Sequence, residues 1–397
     1  MAQRKIEHLS LIKSLLNIGL WDNEIDTKYG FNLSPYPFDI GNYKTQFDEI
    51  GIEIINFIQE LNNIKFDISN NLTKNDSRIY RILKKAKNGY PFIQNSLVPP
   101  IIKVDIIVDE NDKLKIVEID GYNPRGFSYA IILNKIHKID NKKLELTIVN
   151  EVKKRNTNTL VWIYPSREKY YLRSMKIFSK ILMNEYGIKV ILVNADNDKI
   201  PEIDCCYLIA PWGLSKKNEV IMRNKLIELY KLNSDKFIYP LQPWLNNKLL
   251  LAFPFLTEYK CLNNFIKETK SIKKFLPFTT INPNDKELEF KNYILKQGVS
   301  SGHKGVVFSN SKKFSEIKTK VQEQKNIDFI FQEEVNQKNI PLDYYQNETT
   351  KKGTFYCRFI AHYNQNGQLL NVDLTGRNEP LVYGSTDSIQ TTCVYDS

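Results

Sequence analysis

The sequence is poor in cysteine and histidine, the residues that most often build zinc sites and redox centres. Only five cysteines and four histidines occur among 397 residues. The odd cysteine count argues against a disulfide framework, and the absence of CxxC spacing argues against a structural zinc site. The cysteines are Cys205, Cys206, Cys261, Cys357 and Cys393. We therefore expect a protein of a reducing compartment.

Long hydrophobic runs are also absent. No stretch reaches the roughly 18 apolar residues that a membrane-spanning helix needs. Residues 1–24 form an amphipathic pattern that charges interrupt, without the continuous apolar core of a signal peptide. These features predict a cytoplasmic protein that does not enter a membrane.

The composition is that of a folded globular chain. Hydrophobic residues make up 42% and aromatic residues 12%, and the length favours two or three domains. The net charge of +11 raises the question of nucleic-acid binding. Because the lysines are spread along the whole chain and not clustered, we interpret the charge as a compositional bias.

A glycine-rich loop between two apolar runs is the most informative stretch, and it spans Tyr293 to Val307. The first run ends in Lys296, and the loop carries His303 and Lys304 among small residues. Small residues let backbone N–H groups approach an anion closely, and lysines add positive charge. The pattern predicts strand, loop and strand around an anion such as a triphosphate.

Three familiar nucleotide motifs do not fit this loop. A P-loop needs GxxxxGK[ST] before a helix, whereas Gly305 and a strand follow Lys304. A protein kinase needs HRD and DFG triplets, which the chain lacks. No GxGxxG opens a helix either, which argues against a dinucleotide site.

An acidic hairpin precedes the loop by almost two hundred residues. A strand at residues 102–108 carries Asp105, and a second strand at residues 113–120 carries Glu118 and Asp120. Residues two apart on a strand share a face, and pairing of the strands can bring Asp105 beside them. Carboxylates grouped in this way suit Mg²⁺, although a solvated polar face remains an alternative.

The rest of the chain divides by pattern into five segments. Helical periodicity at Leu9–Leu20 and Phe47–Leu61 predicts a helical cap over residues 1–95. Residues 96–155 contain the hairpin, and residues 156–215 alternate strands with an Arg167–Tyr186 helix, which predicts a parallel α/β unit. Residues 216–290 contain two predicted helices, and residues 291–397 are rich in strands.

The order of these motifs resembles that of the ATP-grasp amide ligases, and most of all the synthetase part of glutathionylspermidine synthase-like enzymes. Those enzymes have an Asp followed by Glu-x-Asn in a strand, which is similar to Asp105 and Glu118–Asp120, with Asp in place of Asn. Their N-K-x-L-L stretch is similar to Asn247–Leu251, their lysine before the glycine loop to Lys296, and their Q-E-x-V hinge to Gln332–Val335. The resemblance covers residues 95–397. It implies a fold of the α/β and α+β classes: an ATP-grasp fold with a preceding α/β (pre-ATP-grasp) domain, two grasp lobes at 216–290 and 291–397, and an N-terminal helical segment.

The resemblance also implies a site for ATP. Lys248 and Lys296 would neutralise α- and β-phosphate oxygens. The loop residues that would cover the β- and γ-phosphates are Ser300, Ser301, Gly302 and Lys304. The hinge residues that would hold adenine and ribose are Gln332, Glu333, Glu334 and Val335.

Metal and catalytic residues follow from the same resemblance. The Mg²⁺ ligands would be Asp105, Glu118 and Asp120. The family's catalytic arginine has three candidate counterparts, which are Lys103, Arg125 and Arg377. Arg377 and Asn378 would also bind a substrate carboxylate.

The implied activity is that of an ADP-forming ligase, which joins a carboxylate to an amine through an acyl phosphate. The partners would be a small acid and a small amine, or a peptide, and a homodimer is compatible with the sequence. An amidase activity found in many of those synthases is not expected, because residues 1–204 contain no cysteine. A catalytically silent ATP-binding module and a basic nucleic-acid-binding protein remain alternatives.

Overall fold

The computed structural model describes residues 32–64, 98–122, 124–166, 171–196, 198–209, 217–282, 284–289, 292–298, 305–309, 311, 314–319, 329–346, 349–381 and 388–394. The strands are β1 Asn32–Leu33, β2 Phe38–Asp39, β3 Ile101–Val108, β4 Leu114–Asp120, β5 Thr159–Tyr164, β6 Lys189–Asn194, β7 Cys206–Leu208, β8 Thr279–Thr280, β9 Tyr293–Gln297, β10 Val306–Phe308, β11 Phe329–Glu333, β12 Asn339–Gln346, β13 Thr349–Asn364, β14 Leu369–Arg377 and β15 Ile389–Val394. The α-helices are α1 Lys44–Asn63, α2 Phe127–Ile136, α3 Lys143–Lys153, α4 Leu172–Tyr186, α5 Lys217–Leu232 and α6 Asn263–Glu268. Short 3-10 helices span Gly41–Tyr43, Ser234–Lys236, Pro243–Asn246, Lys248–Phe255, Lys260–Leu262, Lys270–Phe275 and Lys286–Glu289. In the described part of the chain, no helix has the length and apolar character needed to cross a bilayer.

An eight-stranded sheet forms the centre of the molecule. Its strands run in the order β1-β15-β14-β13-β3-β4, with β12 paired to β13 and β2 paired to β15. The predicted hairpin is present as β3 and β4, and β3 also pairs with β13 along seven residues from Arg358 to Asn364. The hairpin segment 96–155 and the C-terminal segment 291–397 therefore share one sheet.

The two faces of this sheet differ in chemistry because polar and apolar residues alternate along its central strands. One face is apolar and packs against α1, where Phe47 and Phe359 have their ring centroids 5.7 Å apart. Tyr363 Oη also donates to the carbonyl of Phe47 at 3.0 Å. The other face, here called the polar face, carries Lys103, Asp105, Glu118, Asp120, Arg358, Ile360, His362, Asn371, Asp373, Thr375 and Arg377, which the strand register aligns.

A second, parallel sheet confirms the predicted α/β unit. Its strand order is β6-β5-β7, and α4 connects β5 to β6. The helix predicted over Arg167–Tyr186 begins at Leu172 in the structure, with residues 167–170 outside the described part. It ends at Gly187, whose φ of 67° is the left-handed conformation that glycine adopts without strain.

A third sheet, antiparallel, contains the strands that flank the glycine-rich loop. Its order is β10-β9-β11-β8, and it has a small core of its own around Tyr293, Leu295 and Phe331. Residues 299–304 lie outside the described part, and with them the predictions for Ser300, Ser301, Gly302 and Lys304. The same holds for the predicted helix at Leu9–Leu20, whereas the Phe47–Leu61 pattern corresponds to α1.

Candidate functional site

The three carboxylates predicted as metal ligands lie together on the polar face, with a lysine among them. Asp105 pairs with Glu118, and Lys103 pairs with Asp120, across β3 and β4. Lys103 Nζ is 2.5 Å from Asp120 Oδ2 and 3.5 Å from Asp105 Oδ1. Burial would lower the pKa of Lys103, but the charges of Asp105, Asp120 and Glu118 raise it above its ordinary value. Lys103 therefore stays protonated and offsets part of the acidic charge.

The two acids at the open side of the hairpin have opposite pKa shifts. Burial would raise the pKa of Glu118, but the nearby charges of Lys248 and Lys103 lower it to about 2. Burial, aided by repulsion from Glu118 and Asp105, raises the pKa of Asp120, although the charge of Lys103 opposes this shift. The difference arises because Glu118 lies beside a second cation, Lys248, whose charge and hydrogen bond both favour the ionised form of Glu118.

Lys248 joins the acidic hairpin to a distant segment. Its Nζ lies 2.8 Å from Glu118 Oε1, and its side chain is only 5% exposed. The local reason is the Asn247 side chain, which accepts a hydrogen bond from Leu249 N and caps the 3-10 helix that starts at Lys248. This fixed helix start directs the lysine toward the hairpin.

Lys296 makes a second connection, from β9 to the hairpin. Its Nζ donates to the carbonyl of Val117 at 3.1 Å, across 179 residues of sequence. Burial, aided by the charge of Lys248, lowers the pKa of Lys296 to about 8, although Glu118 opposes this change. Two lysines therefore face one carboxylate where the resemblance expects phosphate oxygens.

Gly298 shows why the glycine-rich loop begins with a residue that lacks a side chain. A Cβ there would lie 2.8 Å from Asn247 Oδ1 and 2.9 Å from Leu249 Cγ. The carbonyl of Gly298 accepts a hydrogen bond from Lys248 N at 2.9 Å. The start of the loop thus packs directly onto the segment that carries Lys248.

The predicted adenine hinge lies at the end of β11. Gln332 is buried, and its Nε2 donates to Thr279 Oγ1 at 3.2 Å. Glu333 bonds through its backbone to Phe278, and burial raises the pKa of Glu334. Val335 follows as a half-buried residue. Lys296 of β9 is opposite Ile330 of β11, and Gln332 is two residues further along β11. Lys296 and Gln332 therefore lie on the same face of the small sheet.

The candidate arginines lie in different surroundings. Arg377 is buried on the polar face, donates to the carbonyl of Leu381 at 2.8 Å and lies 3.3 Å from Glu379. Asn378 is exposed beyond the end of β14.

Arg125 follows β4, and its charge lowers the pKa of Tyr207 in the parallel sheet, against the larger effect of burial. Among the three candidate catalytic cations, Lys103 contacts Asp105 and Asp120 of the acidic hairpin.

Arg358 is a site residue that the sequence analysis missed. Its Nη1 donates to Asp105 Oδ2 at 3.0 Å from the neighbouring strand β13. In the sequence, Tyr356, Arg358 and His362 alternate with buried apolar residues. This alternation predicts that the strand has a polar face, but it does not indicate which strand lies beside it.

His362 is the second such residue, and it is 1% exposed beside Lys103. Neither of its ring nitrogens has a hydrogen-bond partner in the described part of the chain. Burial and the charge of Lys103 lower the pKa of His362 to about 3, which keeps the ring neutral.

The carboxylates do not form a ready-made metal cage. Among the described residues, no group of three or more His, Cys, Asp or Glu side chains is arranged to hold a metal ion. Asp105 Oδ1 is nevertheless a buried oxygen without a hydrogen bond in that same part of the structure. The site therefore combines a carboxylate oxygen that has no hydrogen bond within the described residues with four cations, Lys103, Lys248, Lys296 and Arg358, an arrangement suited to binding a polyanion together with a cation.

Comparisons with known proteins find a similar fold but no match in sequence. No protein-family profile matches the chain, and no curated protein matches it in sequence. In structure, the chain is similar to a glutathione synthetase-like effector from Globodera pallida, solved in its apo form. The TM-score is 0.56 at 10% sequence identity, over 98% of this chain and 96% of the other. The chain thus has a mixed α/β fold similar to that of a glutathione synthetase-like protein.

Proposed function

We propose that this protein is an ATP-dependent carboxylate–amine ligase that releases ADP and phosphate. The observation that carries the proposal is the contact between the acidic hairpin and the two lysines that border the glycine-rich loop. Lys248 lies 2.8 Å from Glu118, and Lys296 donates to Val117 O at 3.1 Å. Acids for a metal and cations for phosphates are thereby adjacent, as phosphoryl transfer requires.

Magnesium fits the chemistry of this site. Mg²⁺ in proteins is commonly held by one or two carboxylates together with substrate phosphates, so a cage of three side chains is not required. Asp105 has a buried oxygen without a hydrogen bond in the described residues, and Glu118 pairs with it across the strands. These two residues would hold the ion, with Asp120 as the third predicted ligand. When bound, the ion would neutralise charge on the phosphate oxygens.

The reaction proceeds in two steps. A carboxylate oxygen of the acid attacks the γ-phosphorus of ATP, and the bond from that phosphorus to the bridging oxygen breaks, which releases ADP. The amine nitrogen then attacks the carbonyl carbon of the acyl phosphate, phosphate leaves with the electron pair of the C–O bond, and the nitrogen loses a proton to solvent. Lys248 and Lys296 contribute by offsetting the phosphate charge within a largely buried site.

The test uses hydroxylamine in place of the amine substrate, so that activation of the acid is measured without the amine. The protein is incubated with ATP, Mg²⁺, N-acetylated amino acids and peptides as acids, and hydroxylamine as a neutral nucleophile. We expect acid-dependent ADP release together with a hydroxamate. Lys248→Met and Lys296→Met should each lower ADP release by about 100-fold, because each removes a cation from the developing charge.

Lys231→Met is the matched control, since Lys231 is an exposed lysine paired with Glu228 on α5. It should keep wild-type turnover. If no acid yields ADP or hydroxamate, or if the control loses as much activity as the two site variants, the ligase proposal is wrong.

A catalytically silent ATP-binding module is the second candidate, and Lys103 is the observation that favours it. Its ammonium group lies between Asp105 and Asp120, which are two of the three carboxylates expected to hold the metal. A resident cation could make a metal unnecessary for binding. ATP would then raise the melting temperature equally with Mg²⁺ and with EDTA, without ADP release. A ligase should need Mg²⁺ for the full shift.

A further inference from the structure

Asp373 lies on the polar face at a position to which the proposed reaction assigns no role. In the strand register, Asp373 of β14 is opposite Ile360 of β13, and Ile360 is opposite Asp105 of β3. Two strand spacings separate the acids, a distance of roughly 10 Å. Ile360 between them is only half-buried, so the polar face is accessible from the side at this point.

A directed series of hydrogen bonds ends at Asp373. Thr392 Oγ1 donates to Asn134 Oδ1, Asn134 Nδ2 donates to Asn371 Oδ1 at 2.7 Å, and Asn371 Nδ2 donates to Asp373 Oδ1 at 2.9 Å. Within the described residues, this is the single hydrogen bond that the carboxylate receives. The series fixes the orientation of the carboxylate and leaves its second oxygen for another donor.

The surroundings of Asp373 contain no resident cation in the described part of the structure, in contrast to Asp105, which contacts Lys103 and Arg358. Asp373 is 6% exposed. Burial raises the pKa of Asp373 to about 8, although the Asn371 hydrogen bond opposes the shift. A buried acid in such surroundings is stabilised as an anion when a cation binds beside it.

His362 is an independent sign that a polar ligand belongs here. It is opposite Asn371 in the register, is 1% exposed and has two ring nitrogens without hydrogen-bond partners among the described residues. Leaving buried polar atoms unpaired is costly, and native proteins seldom do so without a ligand or water. A ligand with hydrogen-bond donors and acceptors beside Asp373 would satisfy them.

We propose that Asp373 binds the ammonium group of a primary amine, with Asn371 orienting the carboxylate and His362 contacting the adjacent part of the ligand. The identification of this ligand as the amine substrate rests on the proposed ligase function, whereas its binding does not. The amine would lie on the same face as the acids and lysines of the ATP site, about two strands away.

The first experiment measures binding alone. Isothermal titration of the full chain uses four primary amines that lack a carboxylate: glycinamide, ethanolamine, putrescine and spermidine. We expect at least one to bind, and Asp373→Asn to weaken that binding by about 30-fold or more. Asp343→Asn, on the edge strand β12, is the matched control and should bind as the wild type does.

A second variant guards against a general effect of changing Asp373. Ile360→Lys adds an ammonium group opposite both Asp373 and Asp105. Because Asp105 already contacts Lys103 and Arg358, the new ammonium group should pair with Asp373 and abolish amine binding without lowering the melting temperature. The proposal is overturned if none of the four amines binds, if Asp373→Asn binds as well as the wild type, or if Ile360→Lys binds them unchanged.

The hydroxylamine assay separates this inference from the ligase proposal. Hydroxylamine is uncharged near neutral pH and does not need a carboxylate partner. Asp373→Asn should therefore keep hydroxamate formation but lose amide formation with the bound amine. Amine binding that depends on Asp373 in a protein that forms no hydroxamate would support the amine site and refute the ligase. Equal loss of hydroxamate and amide in Asp373→Asn would instead overturn the assignment of the bound amine as the substrate.

Discussion

Asp373 is one of the buried residues that contribute to the pH dependence of stability. Its pKa is raised from 3.8 to about 8 by burial. Between these values Asp373 of the native state holds a proton that the unfolded chain releases, so the contribution of Asp373 to the free energy of unfolding should fall as pH rises from about 4 to 8. Asp373→Asn cannot titrate, and it should remove this part of the slope. Urea denaturation at pH 5 and pH 8 measures the effect.

The comparison for that measurement is Asp343→Asn, which lies on the edge of the same sheet and should keep the wild-type slope. A slope that is unchanged in Asp373→Asn would mean that Asp373 is already ionised in the folded protein near neutral pH.

The polar face shows which site residues a sequence can reveal. Asp105 and Glu118 could be paired in advance, because a short hairpin fixes which residues are neighbours. Arg358 and Asp373 could not, because their contacts depend on β13 pairing with β3 across a long stretch of chain. Alternation along β13 indicates a polar face, but the strand order is needed to show that this face lies beside Asp105 of β3.

At the scale of elements, α1 and the turn between β13 and β14 meet through two glycines. A Cβ on Gly51 would lie 2.0 Å from the carbonyl oxygen of Gly367 and 2.8 Å from Tyr363 Cδ1. Backbone cannot move aside cheaply, so Gly51→Ala should lower the free energy of unfolding by roughly 2–4 kcal/mol. Chemical denaturation measures the loss.

Gly187→Ala provides the contrast. Gly187 has a φ of 67°, but no atom lies within 4 Å of its added Cβ. Its cost is that of the left-handed backbone alone, about 1 kcal/mol. Equal losses in the two variants would show that the helix–turn contact is looser than the structure indicates.

One element could not be predicted from the sequence pattern, for a physical reason. The apolar run Lys248–Phe255 has no strict helical or strand period and contains Pro254, and it forms a 3-10 helix held by the Asn247 cap. The β3–β4 and β9–β10 strands, by contrast, have the alternation or short apolar runs that predict strands directly.

For the whole molecule, the buried residues form one large core cluster and smaller ones, and Ile330 of β11 connects the small sheet to the large cluster. The large core cluster joins the eight-stranded sheet to the parallel sheet and includes Ile106, Trp162 and Phe359. The small sheet with the glycine-loop strands has its own cluster around Tyr293, Leu295 and Phe331. Contacts between the small sheet and the hairpin include polar ones, such as Lys296 with Val117 O.

This division predicts that β8–β11 open at a lower free energy than β3, β13 and β14. A core of a few side chains stabilises a sheet less than a large one does, and local opening follows local stability. Native-state hydrogen exchange should therefore show lower protection for the amides of Ile294 and Phe331 than for those of Ile106 and Phe359. ATP with Mg²⁺ should raise protection in β9 and β11 selectively, because phosphates would join Lys296 to the hairpin. Equal exchange free energies in the two sheets, or protection by ATP that is the same in β13 as in β9, would contradict the separation.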